Sequence, residues 1–313
     1  MKIKRIIFLF ISFGILSACA VTSNRSVLVN KGTPVDIRDI NSSDKGPIVL
    51  KKIIAADWLA DREGLINLKD QKAVAAGLQS GKESIQIYFY VIDHPKFGRY
   101  VIDTGLGDIF RKDKKEWPVS SIVASQMNLG EMKIHTTSKE WLQKESKKVE
   151  GIFITHLHLD HILGTRDFPV GTTVYTGQNE PGDSRFLHLF VQGSTDSLLG
   201  HDTILSELNF LGKDSAPIKF LDFFGDQSFY IVSVPGHTEG SIAFLIKSTN
   251  GVQLVTGDTC HTSWGWLNNV TPGVYTKDLE RNKMSLDLLQ SVATKFPKII
   301  IHPGHQSIPT PAK

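Results

Sequence analysis

Cysteine is nearly absent from this chain of 313 residues, which contains only Cys19 and Cys260. So few cysteines exclude a scaffold stapled by several disulfides, although an exported compartment would permit them. If Cys19 is modified, Cys260 has no partner for an intramolecular disulfide. The sequence therefore predicts a fold that rests on its hydrophobic core and on any bound metal ions.

An excess of one charge is also lacking. Three of the 35 basic residues, Lys2, Lys4 and Arg5, lie at the N-terminus, and without them 32 basic residues face 32 acidic ones. A nucleic-acid-binding protein normally shows a strong basic excess, so no nucleic-acid partner is expected. The hydrophobic share of 41% and the charged share of 21% are typical of a folded globular protein.

The first 18 residues have the composition of a secretory signal peptide. The three basic residues precede an uncharged apolar run over residues 6–16. That run is shorter than the about 20 residues that a membrane span needs, and its length suits the core of a signal peptide. The sequence therefore predicts an exported protein.

Residues 16–19, Leu-Ser-Ala-Cys, resemble the lipobox of bacterial lipoproteins. In that family the chain is cleaved just before the cysteine, which is then lipidated, so the resemblance implies a lipid anchor on Cys19. The following Ala20, in place of an aspartate, implies the outer membrane, facing the periplasm. We expect a signal peptide at 1–18, a lipidated cysteine with a flexible, polar tether at 19–46, and one folded domain at 47–313.

Apolar runs bounded by Pro and Gly predict strands that alternate with helices along the domain. The predicted strands are residues 47–55, 84–92, 99–103, 151–155, 172–176, 228–234, 241–247, 251–255 and 298–301. The predicted helices are residues 139–148, 185–192 and 277–295. This mixture favours an α/β protein in which helices cover sheets.

Titratable side chains are concentrated in residues 155–161, Thr-His-Leu-His-Leu-Asp-His, directly after a predicted buried strand. Near the end of a strand, residues two apart point the same way, so His156 and His158 can converge on one ion. Asp160 and His161 lie at the turn beyond and can face a second ion. Imidazole nitrogens and carboxylate oxygens are ligands that zinc and its neighbours accept.

This segment resembles the His-x-His-x-Asp-His signature of the metallo-β-lactamase superfamily. Further motifs follow in the family's order, and the resemblance runs from about residue 47 to the end of the chain. They are residues 101–105 (VIDTG), 235–241 (PGHTEGS), 257–259 (GDT) and 302–305 (HPGH). Each later motif is weak alone, but together they make a strong signal.

The resemblance implies an αββα sandwich, with two mixed sheets, helices on the outer faces and two metal ions at one edge. The residues that it implies for the first metal are His156, His158 and His237. Those that it implies for the second metal are Asp160, His161 and His305, and Asp258 would bridge the two. Asp103 would orient a ligand histidine.

The resemblance also implies hydrolysis by a hydroxide shared between two Zn²⁺ ions, with iron or manganese as possible replacements. Asp160 would be the catalytic proton shuttle. The stand-alone group resembling N-acyl homoserine lactonases fits best. Classical β-lactamases of the superfamily lack an aspartate at the bridging position, where this chain has Asp258, and only eight residues follow His305, too few for a further domain there. A small-molecule lactone or ester is then the expected substrate. Phosphodiester or β-lactam hydrolysis, or a non-enzymatic metal-binding lipoprotein, are the alternatives.

Three residues that follow the expected bridging aspartate are expected to contact the substrate. Those lactonases often carry a tyrosine three residues after the bridging aspartate, and here that position is His261, a candidate catalytic hydrogen-bond donor. Trp264 and Trp266 follow, and we expect them to form an apolar wall for an acyl or aromatic group. Core packing is the alternative for both tryptophans.

Overall fold

The computed structural model describes residues 19–41, 43–211 and 219–309. The predicted signal peptide, residues 1–18, lies outside these ranges. Among the described residues, no helix has both the length and the apolar character that a membrane-spanning segment requires.

The first sheet is mixed. In spatial order its strands are β2 (Ser26–Val29), β11 (Leu205–Leu208), β9 (Thr173–Thr176), β8 (Val149–Phe153), β6 (Gly98–Ile102), β5 (Lys82–His94), β4 (Val49–Asp61) and β7 (Lys133–Ile134). The strands from β2 to β6 pair in parallel, whereas β6, β5, β4 and β7 pair antiparallel. The parallel strands β6 and β8 deliver their carboxyl ends to the same edge of the sheet.

The second sheet is also mixed. In spatial order its strands are β16 (Ile300–His302), β15 (Gly251–Val255), β14 (Ile242–Ser248), β13 (Phe229–Ser233), β12 (Phe220–Asp222) and β3 (Thr33–Val35). Only the β15–β16 pair is parallel among these neighbours. A separate short ribbon joins β1 (Cys19–Ala20) to β10 (Ser184–Arg185).

Helices pack on the sheets or follow the strand ends. They are α1 (Arg62–Leu65), α2 (Gln71–Ala75), α3 (Ser121–Gln126), α4 (Ser138–Lys144), α5 (Leu159–Ile162), α6 (His188–Leu199), α7 (Ser263–Asn268) and α8 (Leu279–Lys295). Five of them begin with side-chain caps; in α8 Asp278 accepts from the backbone N–H of Arg281, and in α4 Thr137 forms a capping box with Glu140. Such caps satisfy N–H groups that have no partner inside the helix.

Three apolar layers hold the sandwich together. Aromatic rings fill the space between the sheets, where Phe229 stacks on Phe244 and Phe153 stacks on Tyr175. On the outer face of the first sheet, Phe89 meets Trp141 of α4 edge to face. The outer face of the second sheet packs on α8. The predicted αββα architecture is confirmed.

The segment expected to be a flexible tether, residues 19–46, instead contributes to both sheets. β2 adds an edge strand beside β11, and β3 adds one beside β12. Val21 and Ile40 are buried. Because an edge strand is held by backbone hydrogen bonds, it needs no hydrophobic pattern, and β2 is largely exposed. β2 itself is Ser-Val-Leu-Val, but the polar residues on either side of it made the segment resemble a linker.

Candidate metal centre

The segment 155–161 leaves the sheet directly after β8 and carries its polar side chains into the interior. His156 and His161 are buried, and α5 begins one residue after His158. His237 follows β13, Asp258 follows β15 and His305 follows β16. Strand ends from both sheets therefore supply the histidines and aspartates that the sequence singled out.

The first group of candidate ligands contains His156, His158, His237 and Asp258. Their ligand atoms all lie within 4.8 Å of one another. His237 Nε2 is 3.0 Å from His158 Nδ1, which indicates that His158 presents Nδ1 to the group. His156 Nε2 is buried and has no hydrogen-bond partner within the described part of the chain.

The second group contains Asp160, His161, Asp258 and His305, again with ligand atoms within 4.8 Å of one another. His305 Nε2 is 3.2 Å from Asp160 Oδ2, and His161 Nε2 is 3.7 Å from the same oxygen. All four side chains belong to buried or nearly buried residues.

A single atom, Asp258 Oδ2, is common to the two groups. It lies 3.6 Å from both His156 Nε2 and His237 Nε2, and 3.2 and 3.3 Å from the Nε2 atoms of His161 and His305. Ligands about 2.0–2.1 Å from a tetrahedral zinc ion are about 3.3 Å apart. The spacing therefore suits Asp258 as a ligand that two cations would share.

The charges of these groups also suit cations. Burial, together with the neighbouring imidazoles, lowers the pKa of His156 and His237 well below the ordinary value. Burial, reinforced by Arg185, lowers the pKa of His158 to about 3. These three imidazoles are neutral at pH 7, which is the form that binds metal ions.

In the second group, the neighbouring charges outweigh the effect of burial on the pKa values. Burial disfavours a charged His305, but Asp258 and Asp160 outweigh it and raise the pKa of His305 to about 10. Burial likewise opposes ionisation of Asp258, but the surrounding histidines hold its pKa well below the ordinary value. This concentration of carboxylate charge is attractive to a cation.

The residues present therefore fit two divalent metal ions. The donor set is nitrogen and oxygen, which zinc, iron and manganese all accept. Buried polar atoms without a partner are unfavourable, and here His156 Nε2 and Asp258 Oδ1 have none among the described residues. Bound ions would satisfy the imidazole nitrogens that face the shared carboxylate.

Outer hydrogen bonds fix the orientation of the candidate ligands. Asp103 Oδ2 lies 2.8 Å from His161 Nδ1, the contact expected of a residue that orients a ligand. Asp103 also accepts from the backbone N–H of Thr155, and it adopts a left-handed backbone conformation with φ 56°. That conformation is uncommon for an aspartate. The two hydrogen bonds stabilise it.

The other imidazoles have partners of their own. His237 Nδ1 is 3.1 Å from Thr276 Oγ1, and His305 Nδ1 is 3.0 Å from the carbonyl oxygen of Gln86. Gln86 belongs to β5 of the first sheet, so His305 links the two sheets at the edge that carries the candidate ligands, here called the metal edge.

Glu180 was missed by the sequence analysis. Its carboxylate accepts from the backbone N–H of Leu157 at 2.6 Å, from Thr238 Oγ1 at 2.7 Å and from the backbone N–H of Gly240 at 2.9 Å. It thereby joins the loop of His156 and His158 to the loop of His237. Burial raises the pKa of Glu180 to about 7. No motif around position 180 signals this role.

A cavity of about 500 Å³ opens onto the metal edge. Its polar floor includes Asp160, Asp258, His261 and His305. His261 Nε2 is 2.9 Å from Asp258 Oδ2, whereas His261 Nδ1 is buried and has no hydrogen-bond partner within the described ranges. His261 therefore contacts the carboxylate of Asp258, which the two ligand groups share, from outside both groups.

The expected tryptophan wall is wrong. Among the described residues that line the cavity, neither Trp264 nor Trp266 occurs. Trp266 is buried in the core beneath α8, and Trp264 packs against the other outer core. Both lie on α7, which directs these two side chains towards the cores. Trp58, on β4, is the tryptophan that lines the cavity.

His302 and Cys260, which are close in sequence to candidate ligands, lie outside the site. His302 Nε2 is 2.7 Å from Gln253 Oε1, and it belongs to neither ligand group. Cys260 is buried, and burial raises the pKa of its thiol to about 12, which makes it unreactive near neutral pH.

Comparison with known proteins identifies the family of the chain. The family model described as "Metallo-beta-lactamase superfamily" matches residues 85–305. The gamma-lactamase FDB1 of Fusarium pseudograminearum (strain CS3096) is 25% identical over 220 residues, covering 65% of this chain and 52% of that protein. The gamma-lactamase MBL2 of Gibberella moniliformis (strain M3125 / FGSC 7600) is 26% identical over 171 residues, covering 51% of this chain and 70% of that protein. The chain thus spans about half the length of FDB1.

Solved structures share the architecture. An N-acyl homoserine lactone hydrolase, with the product N-hexanoyl-L-homoserine bound at its catalytic metal center, matches with a TM-score of 0.60. The match covers 82% of this chain and 92% of that chain at 17% sequence identity. An identity this low shows a common fold alone.

Proposed function

The chain belongs to the metallo-β-lactamase superfamily, and from that premise we propose that it hydrolyses the carbonyl group of a lactone or an ester at a centre of two zinc ions. The observation that carries the proposal is the position of Asp258 Oδ2, shared by the two ligand groups on the floor of the cavity. When bound, such a pair of cations lowers the pKa of the water that they hold and polarises a carbonyl group.

The residues around the centre have separate tasks in this proposal. Asp160 lines the cavity, and His161 and His305 outweigh the effect of burial and hold its pKa below the ordinary range, so it is an ionised proton acceptor. It can take a proton from the attacking water and return it to the leaving oxygen. His261 can donate a hydrogen bond to the substrate from the cavity floor.

The shape of the cavity favours a substrate with one polar and one apolar end. Above the polar floor, its walls are formed by apolar side chains, including Trp58, Leu65, Ile85 and Val123. A few polar groups at the base of an apolar pocket orient a ligand while the walls bind its apolar part. A lactone or ester with an acyl, alkyl or aryl substituent fits this division.

A lactam is the second candidate, because two of the curated relatives are named gamma-lactamases. Lactam opening would use the same floor residues, but the leaving group is then a nitrogen that must receive a proton. Asp160 is the residue of this site that could deliver it.

The proposed function is tested with a panel of substrates and the zinc-loaded protein. We expect hydrolysis of lactones or aryl esters, with kcat/KM greater than for γ-lactams, β-lactams and phosphodiesters. Elemental analysis should find about two metal ions per chain. Preferred hydrolysis of a phosphodiester or a lactam would replace the proposed substrate class. A protein that binds two ions and hydrolyses nothing in the panel would favour the non-enzymatic lipoprotein.

We also propose that the protein is exported and anchored in the outer membrane, facing the periplasm, through a lipid on Cys19. The proposal rests on the leader sequence and on Cys19 in the lipobox-like segment. Changing Cys19 to serine should abolish lipid incorporation and reduce the membrane-bound fraction of the protein. Membrane fractionation and mass spectrometry of the N-terminal peptide measure both effects. An unmodified cysteine in the parent protein would contradict the proposal.

A further inference from the structure

The opening of the cavity is surrounded by exposed apolar side chains. We define the apolar rim as the large hydrophobic residues that both line the cavity and are exposed: Leu59, Ile122, Leu187, Phe190, Val274 and Tyr275. Ile122 and Val274 are 73% and 74% exposed, and Leu187 and Phe190 are 61% and 60% exposed. Single exposed apolar residues are ordinary on a protein surface, but a set around one opening marks an interaction surface.

Four separate elements present this rim, one of them β4, which carries Leu59. Ile122 lies on α3, Leu187 and Phe190 lie at the start of α6, and Val274 lies in the loop before α8. Phe186, which is 58% exposed, contacts the ring of Phe190 edge to face and extends the apolar surface along α6.

The N-terminal end of the described chain lies beside the rim. β1 pairs antiparallel with β10, so the backbone of Cys19 is opposite Arg185, one residue before Phe186. Gln192 of α6 donates to the carbonyl oxygen of Ala20 at 2.8 Å, and Ser23 donates its backbone N–H to Asp196 of the same helix. Val21 lines the cavity. These contacts hold the predicted attachment point at the opening, and the apolar run of residues 6–16 precedes it in sequence.

We propose that the apolar rim docks onto a lipid bilayer, so that the cavity opens towards the membrane. The position of Cys19 favours a bilayer over a protein partner, because a lipid on Cys19, which replaces the cleaved leader, would place hydrocarbon beside the rim. Insertion of the rim into the headgroup boundary would then bury side chains that are otherwise exposed to water. Together with the proposed hydrolase function, this geometry implies amphiphilic substrates that enter the cavity from the membrane.

The docking is tested with an environment-sensitive fluorophore on the full chain. Cys19→Ser is introduced throughout, which removes the lipid, and the buried Cys260 is spared by thiol reagents. Val274→Cys places the label on the rim, and Ile122→Cys is a second rim position should the first variant fail to fold. Val170→Cys is the matched control. Val170 is fully exposed and precedes β9, which runs parallel to β8, so it lies at the end of the sheet opposite the metal edge.

Vesicles of phosphatidylethanolamine and phosphatidylglycerol should increase the emission of the rim labels severalfold and shift it to shorter wavelength, with little change at position 170. Lipids brominated in the acyl chain should quench the rim labels. Unchanged emission at both rim positions, or an equal change at position 170, would overturn the proposal. The same change without vesicles at high protein concentration would instead identify a second copy of the chain as the occupant. None of these readouts requires catalysis, so a failure of the hydrolase proposal is detected separately.

Discussion

Replacing Asp258 with asparagine should remove most of the bound metal and nearly all of the activity. Asparagine keeps the shape of the side chain but not the negative charge at the atom that both ligand groups share. Losing one preorganised electrostatic group at an active site lowers kcat by about 10²–10³-fold. Because Asp258 would hold both cations of the proposed centre, we expect kcat/KM to fall by more than about 10³-fold. Elemental analysis and initial rates on the same preparation measure both effects.

A matched control separates the loss of metal from the general effect of replacing a buried aspartate. Asp222 is as buried as Asp258, and it accepts from the backbone N–H groups of Gly225 and Gln227 in a turn that contains none of the candidate ligands. Asp222→Asn should keep both metal ions and most of the activity, even if the thermal unfolding temperature falls. If Asp258→Asn kept two ions and full activity, the bridging assignment would be wrong.

Replacing His261 with alanine should separate metal binding from catalysis. His261 lines the cavity but belongs to neither ligand group, so both ions should remain. A positioned acid–base or hydrogen-bonding group contributes about 10²–10⁴-fold to the rate, and we expect kcat/KM to fall within that range. Metal content and kcat/KM are measured on one preparation with the best substrate of the panel.

The contact between His261 Nε2 and Asp258 Oδ2 defines the competing outcomes. If His261 only orients the bridging carboxylate, His261→Ala should weaken metal binding, and excess zinc should restore the activity. If it contacts the substrate, excess zinc should restore nothing. His302→Ala is the control, because His302 is a neighbouring histidine that bonds to Gln253 outside the ligand groups. Unchanged kinetics in His261→Ala would remove His261 from the catalytic residues.

Much of the site could be predicted from the sequence because its chemistry is local. The segment 155–161 places three histidines and an aspartate within seven residues, directly after a strand. The later residues His237, Asp258 and His305 each follow an apolar run that forms a strand of the second sheet. A strand end fixes where the next few side chains go, which makes the segment 155–161 recognisable by itself, whereas His237, Asp258 and His305 were assigned from the resemblance to the superfamily.

The tertiary structure alone decided the parts that depend on distant contacts. Glu180 joins two ligand loops through backbone N–H groups that any sequence would offer, so no motif marks it. Residues 26–29 became a strand because β11, nearly 180 positions later, offered a free edge. The direction of α7 buried Trp266 and left the cavity wall to other elements.

The physical reason is the same in each case. Ligand type and hydrophobic period are properties of neighbouring residues, and they are present in the unfolded chain. Edge pairing, the wall of a cavity and the second hydrogen bond of a buried carboxylate exist only after distant segments have packed. The sequence, through the family resemblance of its motifs, therefore determined the fold class and the candidate metal ligands, whereas the folded chain decided what surrounds them.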